Sequence, residues 1–172
     1  MSTDYLITSW KEVRDGFIEE VNQIPAEQFG FRATPETRSI TELVQHVVQS
    51  QKMIAGEACR DEPNLMRQSF ADHNKEYAPE VESVTDKNGL LELLRSSMDV
   101  TEANIRTNAE RLEKTMRRFD GMEISRLDFV RFAVGHEMYH RGQLTVFARL
   151  LNIEPALTQK FKKLFAQSGS KS

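Results

Sequence analysis

The stretch FVRFAVGHEMYHRGQLTVFARLL, residues 129–151, decides the fold. Its apolar residues recur at steps of three and four, which is the period of an α-helix that buries one face. The members of this stripe are Phe129, Phe132, His136, His140, Leu144, Phe147 and Leu151. Two histidines therefore occupy positions that the pattern assigns to the interior. Upstream, Ser125 with Asp128 three residues later predicts the start of this helix through a capping interaction.

Three further segments show the helical period, and no segment shows a convincing strand pattern. The predicted helices run from about Asp4 to Ile24, from Ser39 to near Cys59, and from Thr85 or Asp86 to about Arg118. Pro25 ends the first helix because a proline disfavours helical backbone in the residue before it. Ser39 and Glu42 have the spacing of a capping box, which predicts the start of the second helix. After the third helix, Asp120 and Gly121 predict a turn.

The connection over residues 61–84 is long and polar, which is typical of a lid or of a crossover between helices. A short helical turn is expected at Leu65–Phe70. His73 lies in this polar connection, and we expect it at the surface. Beyond the fourth helix, a C-terminal turn of helix is expected over residues 157–165, and residues 166–172 are expected to be disordered.

The length fits one domain, and the four helical segments predict an all-α fold, a four-helix bundle over residues 1–172 with its core at about 4–152. The net charge of −3, without a long block of like charge, argues against nucleic-acid binding. No apolar run is long enough to span a membrane. The first 30 residues lack the apolar run of a signal peptide, so a cytoplasmic location is expected. The single cysteine excludes an intrachain disulfide.

The histidines predict a metal site. His136 and His140 are four residues apart, which places their rings one above the other on one helical face. His46 lies on the apolar stripe of the second helix, next to Leu43 and Val47. If the second and fourth helices are neighbours, the three rings converge on one divalent ion and leave coordination positions open, as in a catalytic site. The alternative is that they are core histidines with ordinary hydrogen bonds.

Two other metal motifs fit less well. Residues 136–140, HEMYH, match the H-E-x-x-H pattern of zinc metalloproteases. The extended form of that pattern needs a glycine three residues after the second histidine and then a third histidine, whereas Gly142 comes one position early and no histidine follows. A di-iron carboxylate bundle needs two Glu-x-x-His units, and Glu137 with His140 supplies one.

Two segments resemble the DinB-like superfamily of metal-binding four-helix bundles. Residues 31–46, FRATPETRSITELVQH, resemble the family's aromatic-x-Pro segment, Ser-Ile helix start and histidine. Residues 136–144, HEMYHRGQL, resemble its H-x-x-x-H-R-G-Q signature. The resemblance extends over about residues 5–155. It implies an up-down-down-up bundle with a long crossover between the second and third helices, and members of the superfamily are often homodimers.

The resemblance also implies a site and a function. The metal ligands would be His46, His136 and His140, and the ion zinc or nickel. The implied activity is a transfer or opening reaction in which a low-molecular-weight thiol, such as bacillithiol, mycothiol or glutathione, attacks a small electrophilic substrate. The alternatives are a metal-dependent hydrolase that uses a metal-bound water, with Glu137 as the candidate catalytic proton shuttle, and a non-enzymatic, stress-related metal- or ligand-binding bundle.

Two residues of the signature are expected to have structural roles. Gly142 would let a neighbouring helix approach closely. Arg141 would pair with a carboxylate or with backbone carbonyl groups.

Overall fold

The computed structural model describes residues 3–169, which form six α-helices and one two-stranded antiparallel sheet. The helices are α1 Thr3–Gln23, α2 Ile40–Cys59, α3 Phe70–Tyr77, α4 Lys87–Thr107, α5 Arg126–Leu150 and α6 Ala156–Gly169. The strands are β1 Thr115–Arg117 and β2 Glu123–Ser125. Short 3₁₀ turns occupy Ala26–Gln28, Leu65–Arg67, Val81–Ser83 and Ala109–Glu113.

Helices α1, α2, α4 and α5 form a four-helix bundle in which neighbours follow the order α1, α5, α2, α4. Lys87, at the start of α4, donates to backbone carbonyls at the end of α1. Arg126, at the start of α5, donates to the carbonyl of Ala58 near the end of α2. Glu20, late in α1, accepts from the backbone N–H of Ala156, which follows α5. These contacts give the predicted up-down-down-up order.

The predicted caps at the starts of α2 and α5 are confirmed. The Ser39 hydroxyl accepts from the Glu42 N–H at 3.2 Å, and the Glu42 carboxylate accepts from the Ser39 N–H at 2.9 Å. At α5, the Ser125 hydroxyl accepts from the Asp128 N–H at 3.0 Å. Because both caps use local sequence, they set the first turn of each helix that carries a candidate ligand.

The core consists of two hydrophobic clusters separated by a polar layer. One cluster uses the first half of α1, including Trp10, and the other uses its second half, including Phe17. Arg14 lies between them on the same helix and is itself buried. The polar layer therefore crosses the middle of the bundle, where burial makes complete hydrogen bonding necessary.

The third bundle helix ends at Thr107, so its predicted extension to about Arg118 is wrong. The side chain of Asn108 donates to the carbonyl oxygen of Asn104 at 2.9 Å and occupies the C-cap position. A 3₁₀ turn and strand β1 follow. Met116, which fits a helical stripe by spacing, is buried from this strand instead.

The hairpin of β1 and β2 was not predicted, since three-residue strands are too short to show a clear alternation. The predicted turn at Asp120 and Gly121 does connect its strands. The Gly121 N–H donates to the carbonyl of Arg118 at 3.1 Å, and Gly121 has a φ of 80°, where a glycine is favoured. The hairpin places its tip beside the 61–84 connection, and Met66 lies near Gly121.

The 61–84 connection contains a 3₁₀ turn at Leu65–Arg67, within the predicted turn, and helix α3, which begins at Phe70. His73 is fully buried rather than at the surface. His73 Nε2 lies 3.1 Å from the carbonyl oxygen of Leu65, and the ring stacks on that of Tyr77. The buried Glu57 of α2 holds the segment in place by accepting from Tyr77 Oη at 2.6 Å and Arg67 Nη2 at 2.9 Å. The crossover is therefore bound to α2 through hydrogen bonds to the buried Glu57.

Helix α6 is longer than the expected turn and packs against α1. The Glu20 carboxylate, fully buried, accepts from the first two backbone N–H groups of α6, at 2.7 and 3.0 Å. Residues 166–169, expected to be disordered, continue the helix, and residues 170–172 lie outside the described range. Within residues 3–169, no helix has the length and apolar character needed to cross a membrane.

Candidate metal centre

The antiparallel packing of α2 on α5 brings the three predicted histidines together. His46 Nε2 lies 3.2 Å from His136 Nε2, and His140 Nε2 lies 3.1 Å from the same atom. The three ligand nitrogens lie within 4.8 Å of one another. The rings meet edge to face, with centroids 4.4 to 5.0 Å apart. The cluster could therefore hold one metal ion.

The geometry of the nitrogens fits a divalent ion. Tetrahedral coordination with metal–nitrogen bonds of about 2.0–2.1 Å places two nitrogens about 3.3 Å apart, close to the separations seen here. His140 Nδ1 lies 3.0 Å from Gln143 Oε1, which can only accept, so Nδ1 carries the proton and Nε2 keeps its lone pair. A second group that fixes the tautomer of a ligand histidine is a usual part of metal sites.

The local electrostatics keep the three rings neutral. Burial lowers the pKa of His46 to about 3, and the nearby Arg38 guanidinium and the other two rings act in the same direction. Burial, with His140 and Arg38, lowers the pKa of His136 to about 4. Burial also lowers the pKa of His140, against the opposing hydrogen bond to Gln143. Neutral imidazole is the form that binds a metal.

An apolar cavity of about 450 Å³ opens beside His46 and His136. Its remaining walls come from α2, α5, the 61–84 connection and the hairpin, and the aromatic residues among them are Phe70, Phe119, Phe129 and Phe132. Phe70 and Phe119 lie with ring centroids 6.1 Å apart, so the connection and the hairpin tip meet over the cavity. A volume of this size suits a small organic molecule.

The sequence matches the DinB family over residues 1–169. The chain belongs to the DinB family. No curated protein matches at a significant level.

Solved structures share the DinB fold at low identity. The DinB-like protein YjoA of Bacillus subtilis is 19% identical, with a TM-score of 0.65 over 86% of this chain and 92% of that one. YfiT from Bacillus subtilis, described as a probable metal-dependent hydrolase with an unusual four-helix bundle topology, is 18% identical, with a TM-score of 0.68 over 88% of this chain and 90% of that one. A mycothiol-dependent maleylpyruvate isomerase is 11% identical, with a TM-score of 0.67, and 84% of this chain aligns with 61% of that one.

The structure does not bring Glu137 to the three-histidine cluster of this DinB-family protein. Its side chain points to α1, where Oε2 accepts from Trp10 Nε1 at 2.8 Å and from Arg14 Nη2 at 2.9 Å, and Oε1 accepts from Arg14 Nε. Glu137 is 1% exposed. Because it lies about 100° around the helix from His136, the turn that directs the histidine to the cavity directs the glutamate to the core.

The rest of this network joins all four bundle helices. Arg14 Nη1 donates to the carbonyl oxygen of Leu94 at 2.7 Å, and Nη2 donates to Gln51 Oε1 at 2.8 Å. Ser97 Oγ donates to the same Gln51 oxygen at 2.9 Å. All the N–H groups of Arg14 and both oxygens of Glu137 are thus hydrogen-bonded within the protein, which is the condition under which a buried ion pair is tolerated.

Gly16, and not Gly142 as expected, is the glycine that permits a close approach between helices α1 and α5. Gly142 is exposed and has open space around it. Arg141 instead lies over Gly16 of α1, where an added Cβ would come within 2.3 Å of the guanidinium. Gln143 was also missed as the partner of His140, although its position three residues later on the helix was a usable signal.

Proposed function

We propose that this protein is a metal-dependent thiol S-transferase with His46, His136 and His140 as its metal ligands and a small electrophile as its substrate. The observation that carries the proposal is the contrast between three convergent neutral nitrogens and the lack of a free base in the apolar cavity beside them. Among the described residues that line the apolar cavity, Asp120 alone has a carboxylate, and Arg118 pairs with it at 2.9 Å. A thiol nucleophile suits this site because a thiol needs less help from a base than water does.

Zinc or nickel fits a set of three imidazoles. When bound, such an ion would lower the pKa of a thiol and favour its thiolate. The protein's own residues orient the ligands and shield the substrate. Gln143 orients the His140 ring, and the aromatic walls of the cavity exclude water from the electrophile. The thiol loses its proton to solvent, and the sulfur–carbon bond forms as the bond from that carbon to its leaving group breaks.

The thiol must come from outside the protein. Cys59 is the chain's one cysteine, and burial raises the pKa of its thiol to about 11. Its Sγ lies 3.8 Å from the carbonyl oxygen of Asn104 and is not among the groups that line the cavity. The similarity to a mycothiol-dependent enzyme supports a low-molecular-weight thiol as the second substrate.

A hydrolase is the second candidate, supported by the similarity to YfiT, which is described as probably metal-dependent. Hydrolysis would use the same ligands and would need a proton acceptor. Glu137 is engaged with Arg14 and Trp10, so we do not assign it this role.

A thiol titration separates the candidates. The cobalt-loaded protein is titrated with 2-mercaptoethanol, and we expect new absorption from thiolate-to-cobalt charge transfer that is lost in His140→Ala. Ester hydrolysis that depends on metal, without those bands, would favour the hydrolase. If the protein shows neither the thiolate bands nor metal-dependent hydrolysis, it is a binding protein without enzymatic activity.

We also propose that two copies of the chain pair through the outer face of α5. Exposed apolar side chains run along this face. They are Phe132, Met138, Tyr139, Val146 and Leu150. An apolar stripe of this kind favours a self-complementary contact. Light scattering after gel filtration should give twice the chain mass, and Val146→Glu should give the monomer mass; a wild-type monomer would refute the pairing.

A further inference from the structure

The apolar cavity beside the histidine cluster has an open mouth and a buried end. Phe70, Phe119 and Phe132 are between 40% and 56% exposed, so they lie where the cavity meets solvent. Leu65 and Phe129 line the same cavity and are no more than 7% exposed, so they mark its buried end. A polar group at the buried end needs a partner on any ligand that displaces water from it.

Charged side chains contribute to the mouth of this cavity and not to its buried end. Among the described residues of the lining, the charged ones are Arg118 and Asp120. Their side chains are 47% and 46% exposed and pair with each other at 2.9 Å. The Arg38 guanidinium lines a separate polar space that also adjoins His46. An uncharged molecule therefore suits the buried end, since an ion would lie there without a counter-charge.

Ser50 of α2 is the polar exception among the buried residues of the lining. It is 3% exposed and supplies the one hydroxyl group in the described part of the lining. Within residues 3–169, no hydrogen bond reaches its Oγ. Among the described side chains, the one nitrogen or oxygen that is both unpaired and closed off from solvent is Asn74 Oδ1. The Ser50 oxygen is therefore unpaired but still open to the cavity.

Two other helical serines show the partners that a buried or helical hydroxyl ordinarily finds. Ser96 Oγ donates to the carbonyl oxygen of Glu92, four residues earlier, at 2.8 Å. Ser97 Oγ donates to Gln51 Oε1 at 2.9 Å. A serine inside a helix commonly uses the carbonyl oxygen four residues earlier. Ser50 makes neither kind of bond, so its proton is available to an acceptor inside the cavity.

We propose that Ser50 donates a hydrogen bond to a carbonyl oxygen of the electrophile, next to the carbon that the thiol attacks. The assignment rests on the proposed thiol transferase. Ser50 follows His46 by four residues, so their side chains lie on one face of α2 with Cβ atoms about 5–6 Å apart. A molecule held by Ser50 thus has the carbon beside its carbonyl group close to the histidine cluster.

The electrophile that fits these walls is an uncharged aryl ketone with a leaving group on the carbon beside the carbonyl. Its ring packs among the phenylalanine rings of the cavity, where aromatic pairs gain more than buried area alone provides. The thiol sulfur bonds to that carbon, the leaving group departs with the electron pair of its bond, and the thiol proton passes to solvent. Ser50 keeps its proton throughout, so it selects the substrate through its hydrogen bond.

Two ligands of nearly the same shape test the assignment without thiol or metal. Acetophenone has a carbonyl group where ethylbenzene has a methylene group, and the methyl NMR signals of Ile54, in the cavity wall, report the binding of each to the metal-free protein. Ser50→Ala should weaken acetophenone binding about fivefold, as the loss of one neutral hydrogen bond predicts, and leave ethylbenzene binding unchanged. The matched control Ser96→Ala should change neither affinity. Equal changes for the two ligands, no change for either, or no binding of either would overturn the assignment.

A turnover assay extends the test to the electrophile. The cobalt-loaded protein receives 2-mercaptoethanol with 2-chloroacetophenone or with benzyl chloride, which lacks the carbonyl group. Ser50→Ala should raise the KM about fivefold for 2-chloroacetophenone and leave it unchanged for benzyl chloride. Equal changes in the two KM values would overturn the substrate class.

The ligand assay and the cobalt titration separate this inference from the proposed function. An acetophenone affinity that depends on Ser50, without cobalt–thiolate bands, would refute the transferase and keep the cavity as a ketone site. Cobalt–thiolate bands without the Ser50 effect would keep the transferase and refute the ketone site.

Discussion

His136 and Glu137 are neighbours on α5, and the polar clusters to which they belong differ in one decisive respect. Glu137 belongs to a network in which Arg14, Trp10 and Gln51 satisfy one another across the four bundle helices. His136 belongs to a cluster in which three ring nitrogens lie within 4.8 Å of one another. The first cluster is complete without a ligand, whereas the second has the donor set of a metal site.

This difference indicates that burial of a polar group is a poor guide to function by itself. Both residues lie on the interior side of α5, and the H-E-x-x-H pattern groups them together. Their partners separate them, since a closed network stabilises the fold and an open one offers atoms to a ligand. The predictions below test this separation, in order of decreasing effect.

The largest effect is expected for Glu137→Ala in the metal-free protein. This change leaves the Arg14 guanidinium buried without its partner, which costs about 3–5 kcal/mol of unfolding free energy. Urea denaturation measures the loss, and the exposed Glu113→Ala serves as the control. The double variant Arg14→Leu with Glu137→Leu should recover most of the stability. A loss below about 1 kcal/mol for Glu137→Ala would contradict a closed network.

The contribution of the histidine cluster to the unfolding free energy should depend on bound metal, whereas that of the Glu137 network depends on contacts within the protein. Zinc at a free concentration of 100 times its Kd should raise the unfolding free energy by about 2.7 kcal/mol. His46→Ala and His140→Ala should each abolish this gain and the bound ion, measured by denaturation and elemental analysis. His73→Gln, at the other buried histidine, should keep both. Retention of zinc by both alanine variants would refute the ligand assignment.

A smaller effect is expected where α2 supports the crossover that forms a cavity wall. A Cβ on Gly56 would lie within 2.4 Å of the Tyr77 ring, whose hydroxyl is bound to Glu57. Gly56→Ala should therefore destabilise the protein by about 1–3 kcal/mol through overpacking. Gly30→Ala, in open space, should change stability by less than about 1 kcal/mol. Equal effects in denaturation experiments would indicate that the crossover is loosely held.

The smallest effect is a pH dependence that arises from Glu57. Burial alone raises the pKa of this carboxyl group, but hydrogen bonds from Arg67, Tyr77 and the Asn64 N–H together hold it below its ordinary value of 4.5. A lowered pKa gives stability that is present above the ordinary value and is lost as the pH falls through the folded value. The stability advantage of wild type over Glu57→Gln should thus shrink between about pH 6 and about pH 3 in denaturation experiments. A constant advantage would exclude this contribution.

Much of the fold was predictable because it depends on local periodicity and caps. The apolar stripes located α1, α2 and α5 to within a few residues, and the Ser39 and Ser125 caps were read from three-residue spacings. The prediction failed after Thr107, where the helical spacing of Leu112 and Met116 continued by chance across a 3₁₀ turn and a strand. It failed again at α3, since one short helix with polar residues has too weak a pattern.

The sequence by itself determined the four amphipathic helices, because the period of their apolar residues is a property of the chain. It also determined the candidate ligands, because histidines on apolar stripes are rare enough to notice. Only the tertiary structure decided which polar residues share a cluster. The direction of Glu137 toward Arg14, the meeting of His46 with His136 and the unpaired Asn74 depend on how α1, α2, α3 and α5 pack. Contacts between residues far apart in the chain leave no regular spacing in the sequence.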